Sequence, residues 1–239
     1  MNNTIKLDFP GKKIIAHRGV SGLEKENTIA AFIAAGNRTQ TGIECDIHRT
    51  ADGRYVVIHD AETKRVSDDD INVERVSLRL VRSVLLKDTD GECRKDLFIP
   101  TFEEYLKICK KYGKTAVVEL KGVYEKDWLE DVIQQTKLFG DIGNTIFIAF
   151  DLIDLIRLRE ILPDQPAQYL TCQWSEELID TLKTNKLDLD ILYTQLTRER
   201  IAALHSHGIK VNCWTVDDAQ EAIRLLEDGV DYITSNILE

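Results

Sequence analysis

The chain has 239 residues, 43% of them hydrophobic, and a formal net charge of −10. A chain of this length buries a full core without disulfide or metal staples. The acidic balance excludes the basic stripe of a nucleic-acid binder and docking on an anionic membrane, so an anionic ligand would need local Lys, Arg or a metal ion.

The first predicted strand, "KKIIAH", begins near Lys13 and ends in His17, Arg18 and Gly19. Arg18 offers a planar fork that matches phosphate oxygens. Gly19 permits a tight turn. The helix "ENTIAAFIAAGNR" follows.

Next come the strands "TGIECDI" and "RYVVIHD", joined by "ADG" at 51–53. Three residues cannot make a parallel crossover, which takes about a dozen or more, so the two strands form an antiparallel hairpin. Pairing Thr50 with Arg54 sets Asp46 opposite Ile58 and brings His59 beside Glu44 and Asp46. Those two carboxylates lie two apart, hence on one face. His48 shares their spacing, and an outer position on the hairpin is expected for it.

A charged, irregular stretch covers 61 to about 99. Its Asp68–Asp70 run lacks the spacing of a calcium loop and reads as solvated. The helix "TFEEYLKICKKYG" has Thr101 as N-cap and Gly113 as stop. The strand "TAVVELK" ends in Glu119 and Lys121, again a same-face pair.

From there strand and helix alternate regularly: "TIFIAF" ending in Phe150, then "AQYLT", "LDILY", "IKVNCWTV" with Trp214, and "VDYITSN", each but the last followed by a helix. His205 and His207 close one of these helices and complement its dipole. The chain holds nine strand-like segments; the return arm of the hairpin stands outside the repeat, which leaves eight βα units. Eight units predict an α/β fold, a (β/α)₈ TIM barrel with a β-hairpin after strand 2 and a short insertion before barrel strand 3; the doubly wound open sheet is the competing arrangement. No composition break divides residues 1–239, which read as one domain.

Cys45, Cys93, Cys109, Cys172 and Cys213 are odd in number and form no C-x-x-C pair, so free thiols and a cytoplasmic location are expected. No apolar run suits a signal peptide or approaches the ~20 residues of a membrane span. The sequence sets no oligomeric state.

Active sites of TIM barrels lie at the C-terminal ends of the strands. Glu44, Asp46 and Glu119 converging there suit a hard divalent cation such as Mg²⁺ or Ca²⁺; without one they repel, and at least one tends to stay protonated. Either pair alone reads better as a buried salt bridge, Glu119 with Lys121 or Asp46 with Arg49, but two pairs ending neighbouring barrel strands count against that reading. His17 and His59 flanking a metal can act as general acid and base, and these parts together are what a phosphodiester needs. Trp214 and Phe150 read as rim aromatics that either wall a substrate or pack in the core.

In "AHRGVSGLEKENTIAAF", "GIECDIHRTADGRYVVIHD", "IPTFEEYL", "VVELK", "AFD" and "VNCWTVDD…LLEDGVDYITS", the chain resembles the glycerophosphodiester phosphodiesterase family, TIM barrels similar to phosphatidylinositol phosphodiesterases. The motifs follow the family's order over nearly the whole chain. The resemblance implies one Mg²⁺ or Ca²⁺ held by Glu44, Asp46 and Glu119, an acid/base pair of His17 and His59, and phosphate binding by Arg18 and Lys121. It sets Phe150 and Trp214 on the glycerol or head-group side. The implied reaction releases glycerol 3-phosphate and an alcohol from a small-molecule glycerophosphodiester. Attack is by water or through a cyclic phosphate.

Three departures from the family pattern are Lys25 before "ENT", "AETKRVSDDD" after "HD", and Thr234, Ser235, Asn236 after the last strand. None is expected to touch the metal or acid/base residues. The resemblance also implies that the insertion covers the site and helps select the alcohol. Two other readings keep the barrel: a lysophospholipase D-like or other phosphodiesterase on the same site, and a non-catalytic binding module, whose usual sign, loss of a histidine or ligand, is absent.

Overall fold

The β-branched runs that read as strands pair in parallel and close on themselves. The computed structural model describes residues 3–239. In chain order the elements begin with β1 (Ile14–Ala16), α1 (Ile29–Gly36), β2 (Gly42–Arg49) and β3 (Tyr55–Val57). Then come α2 (Leu78–Val81), β4 (Leu85–Lys87), β5 (Cys93–Phe98), α3 (Phe102–Tyr112) and β6 (Thr115–Leu120). The remainder alternates: α4 (Lys126–Phe139), β7 (Thr145–Ala149), α5 (Leu152–Ile161), β8 (Ala167–Thr171), α6 (Leu178–Asn185) and β9 (Asp188–Leu192). Last are α7 (Arg198–Ser206), β10 (Val211–Trp214), α8 (Ala219–Glu227) and β11 (Tyr232–Ser235).

The sheet order is β1-β11-β10-β9-β8-β7-β6-β2-β3, and β1 also pairs with β2. That last pairing closes eight parallel strands into a (β/α)₈ barrel and leaves β3 outside it, antiparallel to β2. The open sheet is thereby excluded. The hairpin takes the register set by its turn: Ile47 faces Val57, Arg49 faces Tyr55, and the Ile58 N–H donates to the Asp46 carbonyl at 3.1 Å. Short turns fix register in this way.

The main core lies between strands and helices, where Phe32, Tyr105, Phe147 and Leu129 are fully buried. α3 begins in a capping box between Thr101 and Glu104 and ends at Gly113 with φ 64°, the start and stop expected from its sequence. A smaller cluster fills the barrel interior with Ile15, Val117, Ile146, Ile148 and Leu170.

The stretch 61–99 is more ordered than its charge suggested. It contains a 3₁₀ turn (Val73–Arg75), α2 and the two-stranded β4–β5 sheet. Val66, Val73, Val81, Val84, Leu86, Leu97 and Ile99 pack with Val56 and Ile58 of the hairpin into a separate apolar cluster. Elements of three to six residues show no readable periodicity.

Candidate active site

His17 and Arg18 leave the C-terminal end of β1 through a constrained turn. Arg18 has φ 53° and Gly19 φ 77°, and a Cβ on Gly19 would meet the Ala31 backbone at 2.6 Å. Only glycine fits there. The turn aims the Arg18 N–H at Glu44 Oε2, 2.8 Å away.

Glu44, Asp46 and Glu119 meet inside the barrel mouth. β2 and β6 pair with Asp46 opposite Glu119, and one oxygen of each of the three carboxylates lies within 4.8 Å of the others. All three side chains are buried. Glu44 Oε1 and Asp46 Oδ1 are buried without a hydrogen-bond partner. Three converging carboxylate oxygens, with unpartnered ones on Glu44 and Asp46, fit a hard divalent cation.

Their electrostatics match the repulsion expected from the sequence. Burial, with Asp46 and Glu119 adding, pushes the Glu44 carboxyl well above the usual range. Burial and Asp46 push Glu119 up to about 7. Burial also opposes the Asp46 charge, but Arg18, Lys121 and His59 outweigh it and hold Asp46 down to about 2. Arg18 Nε lies 3.5 Å and Lys121 Nζ 3.6 Å from Asp46, and Asn27 Nδ2 donates to Asp46 Oδ2 at 2.7 Å.

The salt-bridge readings divide. Lys121 does bind Glu119, at 2.8 Å. Arg49 does not pair with Asp46; it stacks on the Trp128 ring at 4.3 Å.

Both candidate acid/base histidines line one cavity of about 160 Å³ together with Arg18, Glu44 and Glu119. His17 Nδ1 donates to Asn236 Oδ1 at 2.8 Å, and Asn236 Nδ2 in turn donates to Asp217 at 2.7 Å. His59 Nδ1 donates to Asp60 Oδ1 at 2.6 Å. Burial is the main reason both imidazoles sit below their ordinary range; Arg18 adds to it, and so does Lys121 at His59. Phe150 and Trp214 form the facing wall, their rings edge to face at 5.8 Å.

Three expectations need correction. Asn236, one of the departures from the family pattern, directly contacts His17. β11 pairs with β1 and so joins residues 219 apart in sequence. His48 is not at an outer position: it is 4% exposed, with Nδ1 2.8 Å from Glu74 Oε1 and Nε2 3.1 Å from the His59 carbonyl. The stretch 61–99 supplies no residue to the cavity wall. Its nearest contribution is Arg65, which binds Asp60 at 2.6 Å and Glu26 at 2.7 Å.

Sequence reasoning missed Glu26, Asn27 and Asp190. Glu26 bridges Arg65 and Arg18, and these two arginines overcome its burial and hold it down to about 2. Asp190 of β9 lines the cavity and is 1% exposed, and burial, with Glu119 adding, pushes its carboxyl well above the usual range. A signal existed: Leu189 and Ile191 face the helices while Asp188 and Asp190 alternate inward.

No helix among the described residues is long and apolar enough to cross a membrane. The model of the Glycerophosphoryl diester phosphodiesterase family matches residues 17–238. Bacillus subtilis YhdW is 31% identical over 231 residues, covering 93% of each chain. A glycerophosphodiester phosphodiesterase from Caldanaerobacter subterraneus is 28% identical, also covering 93% of each.

Among solved structures, a phosphodiesterase from Oleispira antarctica in complex with the product sn-glycerol-3-phosphate superposes with a TM-score of 0.87 at 23% identity, covering 94% of this chain and 93% of that one. A glycerophosphodiester phosphodiesterase from Parabacteroides distasonis gives 0.79 at 26% identity, covering 95% and 93%. With the family's motifs carried on a closed barrel from His17 to Leu238, the chain belongs to the glycerophosphoryl diester phosphodiesterase family and is an enzyme of glycerophosphodiester hydrolysis.

Proposed function

We propose that the enzyme releases glycerol 3-phosphate and an alcohol from its substrate, using Mg²⁺ or Ca²⁺ held by Glu44, Asp46 and Glu119. The observation that carries this reading is the cluster of three buried carboxylates, two with orphaned oxygens, of which Glu44 and Glu119 line one cavity with two histidines. A divalent cation at these oxygens would supply Lewis-acid polarisation of the phosphoryl group.

The remaining work falls to the chain. Arg18 and Lys121 balance the charge of a phosphodiester and orient it, Arg18 through its planar fork. His17 and His59 move the protons. In each ring Nδ1 is engaged, by Asn236 and Asp60 respectively, which leaves Nε2 to face substrate. One Nε2 takes the proton of the attacking oxygen while the other protonates the departing alcohol oxygen as its P–O bond breaks. The lowered imidazole range favours the neutral form a base needs. The Asp60 carboxylate favours the imidazolium an acid needs.

The test is a substrate panel after chelation, with metal added back. Release of glycerol 3-phosphate from glycerophosphocholine or glycerophosphoethanolamine, restored by Mg²⁺ or Ca²⁺, is expected. Turnover of lysophosphatidylcholine in preference to both would instead establish the lysophospholipase D-like reading.

A further inference from the structure

Beside the acidic centre, where Ile148 pairs with Glu119, the cavity is walled by Ile148, Phe150, Leu170 and Trp214. Two polar atoms in this apolar half have no partner. Asp190 Oδ1 is buried without a hydrogen bond, and so is Trp214 Nε1. Both side chains line the cavity. Buried polar atoms are nearly always paired, and an unpaired one costs stability, so two in one small space call for a ligand.

Neighbouring residues offer them nothing. Asp190 stands opposite Leu170 on one side and Asn212 on the other. The Asn212 amide is already used: Nδ2 donates to Gln168 Oε1 at 3.1 Å, and Oδ1 accepts from the Thr234 hydroxyl at 3.2 Å. The charge that acts on Asp190 is the Glu119 carboxylate, which repels it and cannot donate to it.

Resting on the function proposed above, we infer that Asp190 and the Trp214 indole N–H bind hydroxyl groups on the polyol half of the substrate. A hydroxyl both donates and accepts, so one can serve Asp190 and a neighbouring one can serve the indole N–H. An ammonium group satisfies only the carboxylate, because it cannot accept from the indole. Trp214 is thereby more than an apolar wall. Its ring packs on Phe150 while its N–H, without a partner in the protein, is left for a substrate hydroxyl.

The experiment is equilibrium binding of sn-glycerol 3-phosphate, propyl phosphate and phosphoethanolamine to the metal-loaded enzyme, with a parallel thermal melt. The wild type should prefer glycerol 3-phosphate to propyl phosphate by about tenfold or more, because unmet polar groups penalise the ligand lacking hydroxyls. Asp190→Leu should collapse that preference to about twofold and raise the melting temperature, since an unpaired buried carboxyl is removed. Asp190→Asn, which keeps an acceptor and a donor, should retain most of it. Trp214→Phe, which removes only the N–H, should weaken it by roughly threefold, and these last two variants decide the matter if Asp190→Leu does not fold.

A wild type that binds propyl phosphate or phosphoethanolamine as well as glycerol 3-phosphate would overturn the inference. So would a preference that both Asp190→Leu and Trp214→Phe leave intact. Failure of the proposed hydrolysis reads differently: no glycerophosphodiester is turned over by the wild type, whatever the binding preferences.

Discussion

Two groups of charged side chains sit side by side at the barrel mouth and are built in opposite ways. In the first, Arg18, Glu26, Arg65, Asp60 and His59 form a chain of contacts of 2.6–3.0 Å in which every charge has a partner. In the second, Glu44, Asp46 and Glu119 crowd together with orphaned oxygens. The paired group holds the Glu26 carboxyl down to about 2, whereas the crowded group pushes Glu119 up to about 7. The same side-chain chemistry gives both results. Paired charges fix geometry, whereas crowded, unpartnered ones cost stability unless a ligand takes them up.

The largest effect should come where the groups meet. His17→Ala or His59→Ala is expected to lower turnover of a glycerophosphodiester by roughly 10²–10⁴ while leaving the melting temperature nearly unchanged. Near-normal turnover in both variants would remove the acid/base pair from the account.

The crowded group should be relieved by a cation. Melting of the chelated protein should shift upward with added Mg²⁺ or Ca²⁺, by about 2.7 kcal/mol of stability at one hundred times the dissociation constant. Glu44→Gln should blunt the shift. A melting curve indifferent to both cations would make the cluster a buried acid site without a ligand and erase the contrast between the two groups.

The paired group should respond to acid instead. The Glu26 carboxyl is held below its ordinary value of 4.5 in the folded state. Its contribution is therefore fully present above pH 4.5 and is lost as pH falls toward 2. Relative to Glu26→Gln, the wild type should lose up to roughly 3 kcal/mol across that window, read from denaturant unfolding at several pH values. Parallel stability curves would show that the ion-pair chain does not position its members through charge.

Local chemistry in the sequence announced much of the site. The "ADG" turn sets the hairpin register, and with it the arrival of His59 beside Asp46. Same-face spacing announced Glu44 with Asp46 and Glu119 with Lys121. What stayed hidden depends on closure. Asn236 reaches His17 only because the last strand pairs with the first. The Arg65–Glu26 bridge spans 39 residues and needs the 61–99 stretch in place. Asp190 was obscured for another reason: a barrel strand is buried on both faces, so the alternation of Asp188 and Asp190 with apolar residues stands out only once the interior is known.

The central claim is that the orphaned carboxylate oxygens hold the cation on which hydrolysis depends. Its most direct test is a paired titration of one protein sample, with cation binding followed by calorimetry and glycerol 3-phosphate release followed in parallel. The account predicts one tight site, an activation midpoint that coincides with the dissociation constant, and loss of both together in Glu44→Gln. Full turnover after exhaustive chelation, or cation binding that survives Glu44→Gln while activity does not, would contradict it.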